Sequence, residues 1–297
     1  MRIIDAHVHL YPAEVGRDPG RWAEARGEPH WAELCTRRRR DGRPVQTFPD
    51  ADQLLRDMDA ARVERAVLQG WYWQRPETCA WQNRFYAACV RTHPDRLAAF
   101  ATIHPAAGAA AVEAEIRRAQ AEGLCGLGEL SPHSQGCAVD DPALAAALAL
   151  AGELKLPVNL HMSDRQAKPY RGKVETPPED FRYLARTFRA TTFIFAHWGG
   201  GVLVLETNPT VRQELANVYY DTAASPLIYD DRIWRTALDL VPAGKILFGT
   251  DYPLVLYPQT ERAPGWQGML AEMDGAGLTA DEKAALLAGN TARLLGL

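Results

Sequence analysis

The chain has 297 residues, 47% hydrophobic and 24% charged, enough for one large or two small domains with a substantial core. Its 33 basic and 37 acidic residues leave a net charge of −4, which offers no footprint for a phosphate backbone and argues against nucleic acid as a partner. Five scattered cysteines (Cys35, Cys79, Cys89, Cys125, Cys137) form no C-x-x-C, so neither a disulfide framework nor a thiolate zinc site is expected. No run approaches the roughly eighteen apolar residues of a membrane span, and no charged leader precedes the first apolar segment, so the expectation is a soluble, cytoplasmic protein with no membrane partner.

The first element, Ile3 to Leu10, reads as a short buried strand that stops at Pro12. Side chains two apart on a strand point the same way, so His7 and His9 converge on one spot, and paired imidazoles suit a divalent metal. Residues 12–48 are rich in Arg, Gly, Pro and Trp without helical or strand periodicity, and include Arg37-Arg38-Arg39-Arg40. They read as a long excursion above the first strand, at most a small lid.

From there strands and helices alternate. Asp50 caps a helix to about Ala61, residues 65–69 form a second strand, and a helix follows over about 77–92. A third strand covers 97–103 and a third helix 109–121; residues 124–130 form a glycine-containing fourth strand, and Asp141-Pro142 opens an Ala/Leu-rich helix. Further strands are expected at 157–161, 192–197, 218–221 and 246–251, with a helix over 178–188. Eight apolar strands alternating with helices over about 250 residues suit one (β/α)8 TIM barrel with a long insertion after the first strand.

On this reading polar side chains close the C-terminal ends of otherwise apolar strands: His7 and His9 on the first, Glu129 on the fourth, His161 on the fifth, His197 on the sixth and Asp251 on the eighth. In a barrel those ends meet on one face. A cluster of imidazoles and carboxylates at the mouth of a core is costly unless paired or bound to metal, so the set reads as a metal or catalytic centre. Each residue also has a plainer reading. A lone buried histidine is commonly a hydrogen-bonded core residue, Asp251 could cap a helix, and Glu129 could be a solvated or salt-bridged strand end.

These residues, as Asp5-x-His7-x-His9, Leu160-His161, Ala196-His197-Trp198-Gly199-Gly200 and Phe248-Gly249-Thr250-Asp251-Tyr252-Pro253, with an Asn290-x-x-Arg293-Leu294-Leu295 tail, resemble the amidohydrolase superfamily. More narrowly the chain is similar to the amidohydrolase-related branch that includes aminocarboxymuconate-semialdehyde decarboxylase. The likeness holds in order and spacing over nearly the whole sequence. It implies a metal, usually zinc, held by His7, His9, His161 and Asp251, with His197 as an acid/base and carbonyl-polarising group. In place of a lysine-bearing fourth strand this chain has Gly128-Glu129-Leu130, similar to the carboxylate that bridges two metals in TatD-like members. One ion or two are both open at this point, and iron or manganese suits the same donors as zinc.

The chemistry expected is hydrolysis of an amide, ester or lactone in a small cyclic or carboxylated molecule, with Asp251 accepting the proton of a metal-activated water. With two metals, Glu129 and His197 become ligands. Non-oxidative decarboxylation of a small unsaturated or aromatic acid is the alternative within the same family. A dinuclear oxygenase and a non-catalytic binding subunit are further alternatives. For the substrate, Trp71, Trp73 and Arg75 after the second strand and Trp198 beside His197 are the candidate contacts, against the plainer reading that the tryptophans pack the barrel rim. The Arg37–Arg40 run is either a solvated face or a source of one anion-binding group. Ser131, Asn159 and Thr222 near strand ends could hydrogen-bond substrate or metal ligands. A homodimer is compatible with the sequence but has no residue-level support.

Overall fold

Caps and prolines set the helices where the sequence carries them. In the computed structural model, which describes residues 1–297, Asp50 accepts the Gln53 N–H at 2.8 Å and opens the helix Ala51–Ala61. Asp141 accepts from the amides of Ala143 and Leu144 and, with Pro142 in the first turn, opens Pro142–Glu153. The helices Pro76–Thr92, Ala109–Ala121 and Pro178–Thr187 complete the larger crossovers of the first five strands.

The strands β1 (Ile4–Val8), β2 (Arg65–Leu68), β3 (Leu97–Ala101), β4 (Gly126–Leu130), β5 (Val158–Leu160), β6 (Phe193–Phe195), β7 (Val218–Asp221) and β8 (Ile246–Leu247) are all parallel and pair in chain order. The first and last meet through Ala6 N–H to Phe248 O and His9 N–H to Tyr252 O, both 2.7 Å, so the sheet closes into a (β/α)8 TIM barrel. Ile4, Val67, Ala98, Phe100, Ile194 and Leu247 share one apolar cluster. Side chains from strands as far apart in order as β3 and β6 meet across a barrel's interior. A larger shell of 56 buried residues lies between strands and helices. No helix is long and apolar enough to cross a membrane.

Two expectations need correction. β8 is two residues long rather than six, because beyond Leu247 a side chain replaces the ladder: the Thr222 hydroxyl donates to Gly249 O at 2.8 Å and accepts from Gly249 N at 2.9 Å. The excursion 12–48 is also more ordered than its lack of periodicity implies. It holds the short helices Ala13–Arg17, Pro19–Arg26 and Pro29–Cys35, two of them started by a proline in the first turn. Elements this short complete too few turns to show a period. They are held by an aromatic cluster in which Tyr11 and Trp31 pack against Trp73, with Trp22 and Phe48 partly buried alongside.

Beyond these helices the chain makes a hairpin. Arg38 pairs with Pro44, Gln46 pairs with Leu254, and the amides of Thr47 and Val255 reach Pro253 O and Val45 O. The excursion is thereby stitched to the segment that directly follows Asp251.

Candidate metal centre

Strand alternation puts His7 and His9 on the same side of β1, with their Nε2 atoms 3.2 Å apart. Each ring is oriented from behind. His7 Nδ1–H donates to Asp221 Oδ2 at 2.8 Å, and His9 Nδ1–H donates to the Gln69 carbonyl at 3.0 Å. Carboxylates and carbonyls only accept, so both histidines carry a proton on Nδ1 and turn Nε2 inward. Asp251 Oδ1 stands 3.3 Å from His9 Nε2 and 4.0 Å from His7 Nε2.

Glu129 closes the other side. The preceding Gly128 has φ 133°, and a Cβ there would stand 2.6 Å from Asn159 O, so glycine is what lets β4 run this close to β5. Glu129 Oε2 lies 3.7 Å and 3.6 Å from the Nε2 atoms of His7 and His9. Its other oxygen, Oε1, lies 2.9 Å from His161 Nδ1 and 3.4 Å from His197 Nε2. His197 Nδ1–H donates to Ala223 O at 2.9 Å, which turns its Nε2 toward His161 Nδ1, 3.2 Å away. One carboxylate thus faces two groups of donors: His7, His9 and Asp251 on one side, His161 and His197 on the other.

The loop after β6 is wound to deliver His197. His197, Trp198, Gly199, Gly200 and Gly201 all have positive φ (58°, 58°, 66°, 54° and 88°), a left-handed run that costs energy at the two non-glycine positions. The His197 amide is pinned by Asp221 Oδ1 at 3.0 Å. Asp221 therefore serves both groups. Its four bonds, to His7 Nδ1, Asn159 Nδ2 and the amides of His197 and Ala223, leave it fully satisfied while completely buried.

Burial works against every charge here, yet the carboxylates stay ionised. His161 and His7 hold Glu129 well below the ordinary carboxylate range, His7 lowers Asp221, and His9 with His7 lowers Asp251. Conversely Glu129 and Asp251, against desolvation, push His197 up to about 9, while Asp221 and Glu129 raise His7 well above its usual value. His161 is lowered, burial outweighing Glu129. Three buried carboxylates with inward lone pairs call for positive charge, from protons or from metal cations.

The mouth opens into a cavity of about 300 Å³ lined by His9, His161, His197, Glu129 and Asp251 on its floor and by Trp71, Tyr72 and the excursion above. Trp71 packs edge-on to His9 with ring centroids 5.1 Å apart and stacks on Tyr72 at 4.4 Å. The other sequence-derived substrate contacts are placed elsewhere. Trp73 is fully buried in the aromatic cluster with its Nε1–H on Gln82 Oε1 at 2.7 Å. Trp198 turns away from the cavity to donate to Ser225 Oγ at 2.8 Å and to pack on Trp234. Arg75 is exposed on the outer side, its Nε 3.1 Å from where a Cβ on Gly27 would stand. For the two tryptophans a stronger local partner, an acceptor and an aromatic neighbour, captured the side chain, whereas Arg75 stays exposed.

Sequence reasoning passed over Asp221, although it obeys the same rule as the others: a carboxylate at the end of an apolar strand. Asn159 touches Asp221 and Thr222 holds the β7–β8 junction, so both act on the frame of the centre. His104 and His133 are engaged elsewhere, with the Ala106 amide and with Asp180.

A parallel eight-stranded barrel whose C-terminal mouth carries this histidine–carboxylate set defines the class of metal-dependent TIM-barrel enzymes. The amidohydrolase family model matches residues 4–297, and the chain belongs to that family. Solved structures with the same fold include 5-carboxyvanillate decarboxylase from Sphingomonas paucimobilis (17% identity, 100% of this chain and 99% of that one, TM-score 0.70). The manganese complex of 5-carboxyvanillate decarboxylase from Novosphingobium aromaticivorans is also similar (14% identity, 100% and 96% covered, TM-score 0.72). So is a probable 2-pyrone-4,6-dicarboxylic acid hydrolase from Acinetobacter baumannii (15% identity, 100% of both chains, TM-score 0.64).

Proposed function

We propose that the protein is a hydrolase that cleaves an amide, ester or lactone bond in a small cyclic or carboxylated molecule at a centre for two divalent ions. His7, His9, Asp251 and Glu129 Oε2 would hold one ion; His161, His197 and Glu129 Oε1 would hold the other. The observation that carries this reading is the facing of like groups. His7 Nε2 and His9 Nε2, with both Nδ1 atoms committed elsewhere, stand 3.2 Å apart beside Glu129 and Asp251, a contact that needs a proton or a metal cation held between the two nitrogens and the carboxylates.

Divalent ions in such a centre supply a water with a pKa lowered to about 7 and a Lewis acid for a carbonyl oxygen. The protein's part is positional. Asp251, held ionised and facing the cavity, is the base that takes the proton of the attacking water and returns it to the leaving group. Asp221 and the Gln69 carbonyl keep His7 and His9 in the tautomer that points a lone pair inward. With both ions bound, His197 is a ligand and not a proton shuttle. Zinc fits the mixed nitrogen and oxygen donors, as do manganese and iron.

The second reading is non-oxidative decarboxylation, favoured by the presence of decarboxylases among the structures of the same fold. It goes with a single ion on His7, His9, His161 and Asp251, leaving His197 free to exchange protons. The test is metal stoichiometry by plasma mass spectrometry on protein purified without added metal or chelator, followed by assays for ester or lactone cleavage and for released CO₂. Two ions per chain and hydrolysis are expected. One ion per chain with CO₂ release from an aromatic acid would replace the first reading with the second.

A further inference from the structure

Three of the four histidines of the centre are braced from strands or the residues just beyond them: His7 by Asp221, His9 by the Gln69 carbonyl and His197 by the Ala223 carbonyl. His161 is the exception. Its Nδ1 faces Glu129 and His197, and its Nε2 meets Ser163 Oγ at 3.3 Å. Ser163 begins a stretch, residues 163–176, that contains no helix or strand and leads from β5 toward the helix Pro178–Thr187. Asp164, Ala167, Lys168 and Tyr170 of this stretch line the cavity above the centre.

The stretch is closed on itself. Ser163 N–H donates to Thr176 Oγ1 at 2.8 Å and the Thr176 hydroxyl donates to Ser163 O at 3.3 Å, so its two ends sit together, both buried. Inside, Asp164 Oδ1 accepts from the amides of Gln166 and Ala167, and Lys173 Nζ donates to Asp164 O at 2.8 Å. This is the build of an Ω-loop, a compact unit with joined ends. Its hold on the rest of the molecule is looser, since no backbone–backbone hydrogen bond ties residues 163–176 to another segment. At the base the Tyr229 hydroxyl donates to Asp164. At the tip Arg171 Nε donates to Glu33 Oε1 at 2.6 Å, His30 Nε2–H donates to Gly172 O at 2.9 Å, and Arg37 lies 4.4 Å over the Tyr170 ring. The insertion that carries Glu33, His30 and Arg37 is itself fixed by backbone bonds to residues 253–255, so of the two it is the loop that can move. The Arg171–Glu33 pair, 81% and 35% exposed, is a weak fastening. A unit firm within and weakly fastened without opens as a unit.

We propose that residues 163–176 are a lid over the metal centre, latched to the insertion by Glu33 and His30, and that Ser163 couples the lid's position to His161. Closed, the lid walls the cavity and keeps His161 braced; open, it admits substrate and withdraws the brace from that one histidine. The ion assigned to His161 and His197 is then the one that exchanges, while His7 and His9, braced by the barrel, keep theirs. The lid itself is independent of the metal count; its coupling to His161 rests on the two-ion reading of the centre.

Two readouts on the metal-loaded protein test the two halves. Cys35 lines the cavity and is 2% exposed; Cys79, equally buried, belongs to the same aromatic cluster but does not line the cavity. Labelling of both thiols with methyl methanethiosulfonate, followed over time by mass spectrometry, reports opening. The latch variant, Glu33→Gln with His30→Leu, changes two residues that do not line the cavity. It is expected to label Cys35 about tenfold faster than the wild type and to leave Cys79 unchanged. Unchanged Cys35 labelling, or Cys35 and Cys79 rising together as they would if the insertion melted, would overturn the lid. For the coupling, the release of metal to a chromogenic chelator is followed. The latch variant and Ser163→Ala should each speed the departure of one ion about tenfold and leave the other alone, Ser163→Ala without faster Cys35 labelling. Release indifferent to Ser163→Ala, or sped equally for both ions, would overturn the coupling. A single ion per chain together with faster Cys35 labelling in the latch variant would remove the two-ion reading and leave the lid standing.

Discussion

The floor and the wall of the cavity treat polar atoms in opposite ways. On the floor, Asp221 fills four hydrogen bonds and each of His7, His9 and His197 has its rear nitrogen committed. On the wall, Arg37, Arg39, Gln46 and Trp71 keep buried donors open. Reaction groups are held in place before anything binds, because a metal centre loses affinity when its ligands wander. Rigidity sits where the strands end, and the unpaired donors sit on the inserted hairpin and, for Trp71, just beyond β2.

The comparison breaks first at the floor. Asp251→Asn removes the base and one ligand, and is expected to lower kcat by about 10²–10⁴-fold; steady-state rates at saturating metal check this, and near wild-type turnover would reassign the base. Glu129→Gln should reduce the metal content from two ions to one or fewer, read by mass spectrometry after gel filtration. A variant that retains both ions would show that the carboxylate does not join the two groups of donors.

Asp221→Asn touches no ion directly yet should cost about 10–100-fold in metal affinity, because His7 loses the carboxylate that fixes its tautomer. Competition with a chromogenic chelator measures it, and an effect on kcat at saturating metal that exceeded the effect on affinity would argue for a direct catalytic part. Protons compete for the same nitrogens. With His197 raised to about 9 in the metal-free protein, its proton is bound at neutral pH and must leave when an ion arrives. Metal loading in weakly buffered solution should therefore acidify it, and apparent affinity should fall as pH drops below about 9, the proton being favoured on the acid side. No proton release near neutral pH would mean that His197 is not a ligand.

The smallest effect sharpens the contrast from the other side. Trp198→Phe loses the bond to Ser225 and part of the buried packing on Trp234, about 1–3 kcal/mol of stability, and should leave KM unchanged because the indole faces away from the cavity. Thermal denaturation and steady-state kinetics separate the two.

The sequence determined much of this by simple periodicity. Alternation along Ile4–Val8 placed His7 and His9 together, apolar runs of strand length separated by capped helices implied a barrel, and polar strand ends at Glu129, His161, His197 and Asp251 pointed to one mouth. These features are local, so one stretch of chain suffices to read them. What depends on partners distant in sequence was left to the tertiary structure. Only the fold shows that the two oxygens of Glu129 face different groups of histidines, or that Asp221 stands 2.8 Å from a ring 214 residues away. The same holds for the aromatic residues. Trp71, Trp73 and Trp198 are alike as letters, and whether an indole meets a cavity, a glutamine or a serine is decided by which neighbour the closed barrel brings to it.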